Sequence, residues 1–165
     1  MISTCDLSDA HPGKLRRVTL PFQNYGGTRQ FAGCIRTAVT MEDTKLVQDA
    51  LFCTPGNGDV IVLDTGGSLR TAMLGDMQAA ILRDNGWAGI VVNGVIRDSL
   101  ALSEIDIGVK ALGVTPVRSA KTGIGALDIP VAFGNVLFET GQFIYCDEDG
   151  VLVSDEPLIA EESRT

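Results

Sequence analysis

Hydrophobic residues along this chain come in short runs separated by segments of helical spacing. Asp59-Val60-Ile61-Val62-Leu63-Asp64 and Ala88-Gly89-Ile90-Val91-Val92-Asn93 are apolar without alternation, the pattern of strands buried on both faces. Residues 31–39 alternate and are rich in β-formers, and 107–112 read as a further strand. Between them, Leu46, Val47, Ala50 and Leu51 fall at helical spacing. They predict a helix opened by Glu42-Asp43, running to Phe52 and closed by Thr54-Pro55-Gly56-Asn57-Gly58. A second helix is expected over 77–85, with Asp76 as N-cap, Met77, Ala80 and Ile81 on its apolar face and Gly86 at its stop. Residues 99–103 form a helical turn, and 69–74 read equally as a strand or as a first helical turn. Strand, helix and strand repeated over short connections predict parallel pairing with right-handed crossovers, an α/β architecture.

The pattern changes at both ends. Residues up to Gly27 read as a loose lead-in with a short strand at 18–20 and a turn at Tyr25-Gly26-Gly27. Residues 129–138 and 142–153 are strand-rich, broken at Gly134-Asn135, Thr140-Gly141 and Asp147-Glu148-Asp149-Gly150, where Asp149-Gly150 predicts a hairpin. The acidic tail from Asp155 is either a short helix or a segment that reaches a neighbouring subunit.

Composition narrows the function classes. The 165 residues, 45% hydrophobic and 21% charged, suit one folded domain over 1–165. No apolar run is long enough for a membrane span. The opening Met1-Ile2-Ser3-Thr4-Cys5-Asp6 lacks the basic start and apolar stretch of a signal peptide, so a cytoplasmic protein is expected. A net charge of −8, with Arg16-Arg17 the sole adjacent basic pair, argues against direct nucleic-acid binding. Cys5, Cys34, Cys53 and Cys146 form no Cys-x-x-Cys pair and are expected to be buried, unreactive thiols. The lone histidine, His11, is expected at the surface, and its isolation argues against Ser-His-Asp or Cys-His catalysis.

Candidate chemistry gathers at two strand ends. After 88–93 the chain reads Gly94-Val95-Ile96-Arg97-Asp98, an adjacent cation and carboxylate where open α/β sheets collect ligands. Arg97 suits an anionic substrate, and Asp98 suits a divalent metal. Thr65-Gly66-Gly67-Ser68 permits close backbone approach to a ligand, but no Gly-Lys-Ser/Thr follows, which excludes a phosphate loop. Gly75-Asp76 opens a helix whose first amides can receive a carboxylate.

Together these segments resemble the family that contains the regulator of ribonuclease E activity A (RraA) and the 4-hydroxy-4-methyl-2-oxoglutarate aldolases. The resemblance runs from Phe22-Gln23-Asn24-Tyr25-Gly26-Gly27 to Tyr145-Cys146-Asp147-Glu148-Asp149-Gly150-Val151. Its most specific parts are Asp64-Thr65-Gly66-Gly67-Ser68, Leu74-Gly75-Asp76 and Asn85-Gly86-Trp87-Ala88-Gly89 running into Gly94-Val95-Ile96-Arg97-Asp98. Asp106-Ile107-Gly108-Val109-Lys110-Ala111-Leu112-Gly113 and Lys121-Thr122-Gly123-Ile124-Gly125 add to it. It implies a swivelling β/β/α domain with a mixed sheet, assembled as a ring-shaped homotrimer or as paired trimers, with the active site between subunits. It also implies metal-dependent aldol cleavage of a keto acid to pyruvate, with magnesium or manganese as cofactor and oxaloacetate decarboxylation as a side activity.

On that reading Asp98 holds the metal, Arg97 binds substrate and offsets the enolate charge, and Asp76 serves proton transfer. Gly75, Asp76 and Met77 then present the helix start to the substrate. A Schiff-base aldolase through Lys110 or Lys121 is the lesser enzymatic alternative, since neither lysine sits in an evident apolar pocket. Ribonuclease E is the partner implied by the regulator branch, which would need no chemistry; the regulator lacks the carboxylate that stands here at Asp98. A methyltransferase finds no Gly-x-Gly-x-x-Gly loop after a strand. The chain departs from the family at Gly125-Ala126-Leu127-Asp128, Gly134-Asn135 and Thr140-Gly141-Gln142. Glu156, Glu161 and Glu162 are the candidates for the glutamate that the aldolase branch draws from a neighbouring subunit.

Overall fold

The computed structural model describes residues 3–158. From the N-terminus it forms α1 (Thr4–Ala10), β1 (Arg16–Arg17), β2 (Gln23–Asn24) and β3 (Phe31–Val39). A short α2 (Lys45–Val47) runs directly into a π-helical turn (Gln48–Phe52), followed by β4 (Val60–Asp64), α3 (Asp76–Asp84) and β5 (Gly89–Ile96). Then come α4 (Ser99–Leu102), β6 (Gly108–Val114), β7 (Ala126–Leu127), β8 (Val131–Phe133) and β9 (Val136–Phe138). The hairpin β10 (Phe143–Cys146) and β11 (Val151–Ser154) ends the described part.

The main sheet is mixed, in the order β1-β11-β10-β3-β4-β5-β6-β2, with β7 against β3. The four central strands β3 to β6 are parallel, as the strand-helix-strand pattern predicts. Strand β3 changes partner along its length: 31–34 pair antiparallel with β10, and 35–39 pair parallel with β4. Strands β8 and β9 form a separate hairpin whose turn residues, Gly134 and Asn135, both have positive φ, the backbone that a two-residue hairpin turn demands.

The continuous apolar strands split their side chains between two cores. Ile61 and Leu63 of β4 and Ile90, Val92 and Ile96 of β5 meet Val47, Leu51, Ala79 and Leu82 of the helical layer. Val60, Val62 and Val91 meet Phe133, Phe138, Ile144 and Val153 on the other face. All eight of these β4 and β5 side chains are fully buried. Burial at this size is worth roughly 1.5–3 kcal/mol each, which is why both faces are covered. The result is a helical layer, a central parallel sheet and a second β layer. No helix among the described residues is long and apolar enough to cross a membrane.

Several local expectations are corrected. The lead-in contains a real helix: Ser3 caps α1 by accepting from the Asp6 N–H, and Leu7 is buried. The strand expected at 18–20 lies at Arg16–Arg17, although Val18 N–H still donates to Val151. The helix expected to open at Glu42-Asp43 opens only at Lys45. Glu42 has a positive φ of 53°, and buried Asp43 instead accepts from Lys45 N–H, Gly123 N–H, and both the N–H and hydroxyl of Thr122. Segment 72–74 is extended, pairing at Ala72 with Val95 and Arg118. Helix α3 is capped by Gly75, not Asp76, and buries Ala79 and Leu82 while Met77 is 78% exposed.

Side-chain expectations change as well. Cys146 is buried and its thiol is pushed far up by desolvation, but Cys5 and Cys53 are exposed. His11 is half-buried at the end of α1. Lys110 is buried on β6, where desolvation lowers its pKa and its ammonium donates to the Asp147 carbonyl.

Candidate functional site

The site is built by a bulge and a close crossing. Strand β5 shifts register against β6 between Val92 and Val95, so Asn93-Gly94 bulges, and a bulge re-aims the residues after it. Thr65 Oγ1 donates to the Asn93 carbonyl at 2.7 Å, and Asn93 Nδ2 donates to Asp64 Oδ1 at 2.8 Å. A Cβ on Gly94 would lie 2.2 Å from Thr65 Oγ1, so the contact requires glycine.

Beyond the bulge, segment 72–74 is laced to β5: Met73 N–H donates to Val95 O and Arg97 N–H to Leu74 O, both at 2.9 Å. This brings Gly75 beside Arg97-Asp98. A Cβ on Gly75 would stand 2.8 Å from Asp98 Oδ2 and 3.3 Å from Arg97 Cγ. Glycine here lets the helix start approach the carboxylate.

Asp98 occupies the left-handed region (φ 56°, ψ 39°), at the N-cap of α4, yet its side chain makes no capping hydrogen bond. Aspartate tolerates this backbone better than most residues. Among the described residues its carboxylate pairs with the adjacent guanidinium, with Arg97 Nε at 3.2 Å from Asp98 Oδ2. That approach lacks hydrogen-bond alignment, so the buried Arg97 Nε has no hydrogen-bonded partner among the described residues. Buried donors in native proteins are normally satisfied, and an exception at a cleft points to a ligand.

A cleft of about 450 Å³ contains all five residues singled out from sequence: Gly75, Asp76, Met77, Arg97 and Asp98. A neighbouring hollow of about 550 Å³ shares Asp76, Arg97 and Asp98 and is walled by Leu100 and Val114. Within the cleft, Gly75 N–H donates to Gln78 Oε1 at 2.8 Å and Met77 N–H to Asp76 Oδ1 at 2.7 Å. The Met77 amide expected to face substrate thus has an intramolecular acceptor.

The sequence reading missed Gln48, Gln78 and Arg118, and cast Lys121 only as a Schiff-base alternative; all four line the cleft. Nothing at helical or strand period marks them, because they arrive from the π-helical turn, α3 and the loop after β6. Lys121 Nζ donates to Gln48 Oε1 at 3.1 Å. The loop is anchored next to it by Asp43, whose pKa is lowered to about 2, chiefly by the Thr122 hydroxyl. Lys110, though buried, borders a different hollow of about 320 Å³ with Arg17, Phe22 and Glu148. Glu156 does not line the cleft of its own chain, and Glu161 and Glu162 lie outside the described residues.

The donor set suits a hard cation. Asp98 and Asp76 offer carboxylate oxygens, and among the described residues no three His, Cys, Asp or Glu side chains converge on one point. One or two carboxylates with water completing the shell is how magnesium is commonly held. Opposite them, Arg97, Arg118 and Lys121 give the same cleft three cations for an anionic ligand.

Comparison with known proteins gives consistent results. The profile of the RraA-like family (Aldolase/RraA) matches residues 4–153. A protein of Aromatoleum aromaticum, provisionally named 4-hydroxy-4-methyl-2-oxoglutarate aldolase, is 47% identical over 156 residues, covering 94% of this chain and 98% of that protein. One from Azotobacter vinelandii with the same provisional name is 46% identical, covering 94% and 95%. Among solved structures, the RNA-processing inhibitor RraA from Thermus thermophilis superposes with a TM-score of 0.92 at 41% identity, covering 99% of this chain and 98% of that one. A Geobacillus kaustophilus structure described as an S-adenosylmethionine:2-dimethylmenaquinone methyltransferase gives 0.93 at 43% identity, covering 98% and 100%.

Proposed function

The chain belongs to the RraA-like family, and we propose that within it the protein is a divalent-metal-dependent aldolase. Its substrate is a 4-hydroxy-4-methyl-2-oxoglutarate-type keto acid, cleaved to release pyruvate, and it decarboxylates oxaloacetate as a side activity. The observation that carries this reading is Asp98: a carboxylate held in the left-handed region, not used as a cap, and turned into a cleft beside Arg97. The provisional aldolase names of relatives at 44–47% identity support it.

Cleavage breaks the bond between C3 and C4 of the keto acid. The C4 hydroxyl loses its proton and becomes the carbonyl of one pyruvate as the C3–C4 bonding pair moves into an enolate, whose C3 is then protonated to give the second pyruvate. Asp98, with Asp76 nearby, would hold the metal; when bound, it polarises the keto group and offsets enolate charge. Arg97 binds the carboxylate or enolate oxygen with the part of its guanidinium that lines the cleft. Asp76 accepts and returns the proton through water at Oδ2, while Oδ1 keeps the Met77 N–H. Arg118 and Lys121 line the same cleft and supply further positive charge for the substrate carboxylates. Decarboxylation of oxaloacetate passes through the same enolate and uses the same groups.

We further propose the ring-shaped trimer, in which a neighbouring subunit closes the site. Met77, Leu100 and Val114, exposed by 78%, 83% and 55% around the cleft, suit burial against another copy. A lactate dehydrogenase-coupled assay tests the activity with added magnesium, with chelator, and with Asp98→Ala. Pyruvate release that survives both the chelator and the substitution would sink the mechanism. The likeness to the Thermus RNA-processing inhibitor favours a second reading, a non-catalytic regulator of ribonuclease E. Tight ribonuclease E binding without pyruvate release would establish that instead.

A further inference from the structure

We propose that Gln48 and Gln78 form a positioning pair that fixes the Lys121 ammonium against the start of α3, and thereby sets the affinity of the cleft for anions. This rests on the reading of the cleft as a keto-acid site. Lys121 Nζ donates to Gln48 Oε1 at 3.1 Å, Gln78 Nε2 donates to the same oxygen at 3.5 Å, and Gly75 N–H donates to Gln78 Oε1 at 2.8 Å. The direction of this chain is fixed at both ends. An ammonium and a backbone N–H can only donate, so each glutamine must present its oxygen to them. Gln78 Nε2 then points at Gln48 Oε1. Neither amide can flip without losing a partner.

The backbone on either side of Lys121 is also held. Thr44 N–H donates to Ala120 O at 3.1 Å, Ala120 N–H donates to Glu42 O at 2.8 Å, and Asp43 accepts from Thr122 and Gly123. The side chain itself is exposed. A lysine there would sample many rotamers, and Gln48 supplies the acceptor that selects one. Gln48 opens the π-helical turn, a distortion that often marks functional sites because it turns a side chain out of ordinary helical register.

The acceptor is neutral, and this matters chemically. A carboxylate at position 48 would pair with Lys121 and cancel its charge, whereas an amide orients the ammonium and leaves the charge and two N–H donors for a ligand. Gln48 and Gln78 are therefore positioning residues, acting on substrate through Lys121 and Gly75.

The test is a double-mutant cycle on oxalate binding, measured by titration calorimetry of the full-length protein with magnesium present. Gln48→Ala is expected to weaken oxalate about tenfold in the wild type and by less than twofold in a Lys121→Ala background. Gln48→Glu is expected to weaken it more than Gln48→Ala does, and Gln78→Met to weaken it about threefold. In the pyruvate-release assay the loss falls on KM more than on kcat. Thermal melts identify any variant that fails to fold, and the cycle is read on those that do. Equal losses with and without Lys121, or no loss from Gln48→Ala, overturns the proposal. Wild-type protein that binds oxalate but releases no pyruvate refutes the aldolase reading while the cycle still decides the positioning role. No oxalate binding in the wild type overturns both.

Discussion

Two aspartates in different elements of this molecule show what a carboxylate does when its valences are filled and when they are not. Asp147, in the β10–β11 hairpin, is 4% exposed and accepts from Thr4 N–H, Thr4 Oγ1, Asp149 N–H and Gly150 N–H, between 2.6 and 3.3 Å. Burial raises its pKa, but the hydrogen bonds from Thr4 and the hairpin amides outweigh burial and hold it below the usual range. It pins α1 to the sheet. Asp98, in contrast, holds a strained backbone, caps nothing, and faces an arginine with no hydrogen bond between them. The first carboxylate is used up in making the fold. The second is held out by the fold for something else.

Substitutions should separate the two roles. The largest effect is expected from Asp98→Asn, which keeps a residue tolerant of positive φ and removes the charge. Pyruvate release should fall about a thousandfold, since a bound metal supplies several kcal/mol of transition-state stabilisation, while the thermal midpoint stays within about 2 °C. Next is Asp147→Ala, which leaves buried amide donors without acceptors. We expect a loss on the order of 3 kcal/mol by urea titration, with activity per folded molecule unchanged. If Asp147→Ala instead abolished activity in folded protein, the division between the two carboxylates would fail.

Gly75→Ala sharpens the comparison at the site itself. Its new methyl would push on Asp98 Oδ2 from 2.8 Å. Because φ at Gly75 is −131°, alanine adopts the backbone without strain. Activity should drop roughly tenfold to a hundredfold with little change in melting, the cost of a displaced catalytic group. An unchanged rate would show that the close approach is incidental.

The smallest effect is in acid. Asp43 and Asp147 both have folded pKa values below the ordinary carboxylate value, about 2 for Asp43. Such groups add stability above the unfolded value of about 4, and that contribution is lost as pH falls through the folded value. Urea midpoints should therefore hold from neutrality to about pH 4 and decline toward pH 2. Asp43→Asn should flatten part of that decline. A decline identical to wild type would remove Asp43 from the account.

The residues that depart from the family pattern have coherent structural partners. Arg36 makes paired 2.8 Å contacts to Asp128, whose φ is 54°, and Thr140 Oγ1 donates to the same carboxylate at 2.9 Å. Ala126–Leu127 pair with β3, and Gly134-Asn135 make the β8–β9 turn. Gly134-Asn135 belongs to the β layer opposite the helices, whereas Leu127 packs against the helical-side core.

The sequence alone determined the features governed by neighbours in the chain. Runs such as 60–63 and 89–92 had to be doubly buried strands because no polar residue interrupts them. Gly134-Asn135 had to turn because few residues accept positive φ there, and Gly94 through Asp98 marked a strand end because apolar residues give way to charge. Arg97-Asp98 as a charged strand end and Gly75-Asp76 as a helix start were legible in this way, while the roles given to them and to Met77 came from the family resemblance. Tertiary structure decided which of the remaining polar residues meet. Gln48, Gln78, Arg118 and Lys121 reach the cleft from separate segments, and no local period encodes a contact made across tens of residues. It also decided that Glu42-Asp43 would not begin a helix, because the Asp43 carboxylate finds N–H donors in Thr122 and Gly123 that outcompete a helical first turn. Hydrophobic period is written locally, but whether a polar group is satisfied depends on distant partners.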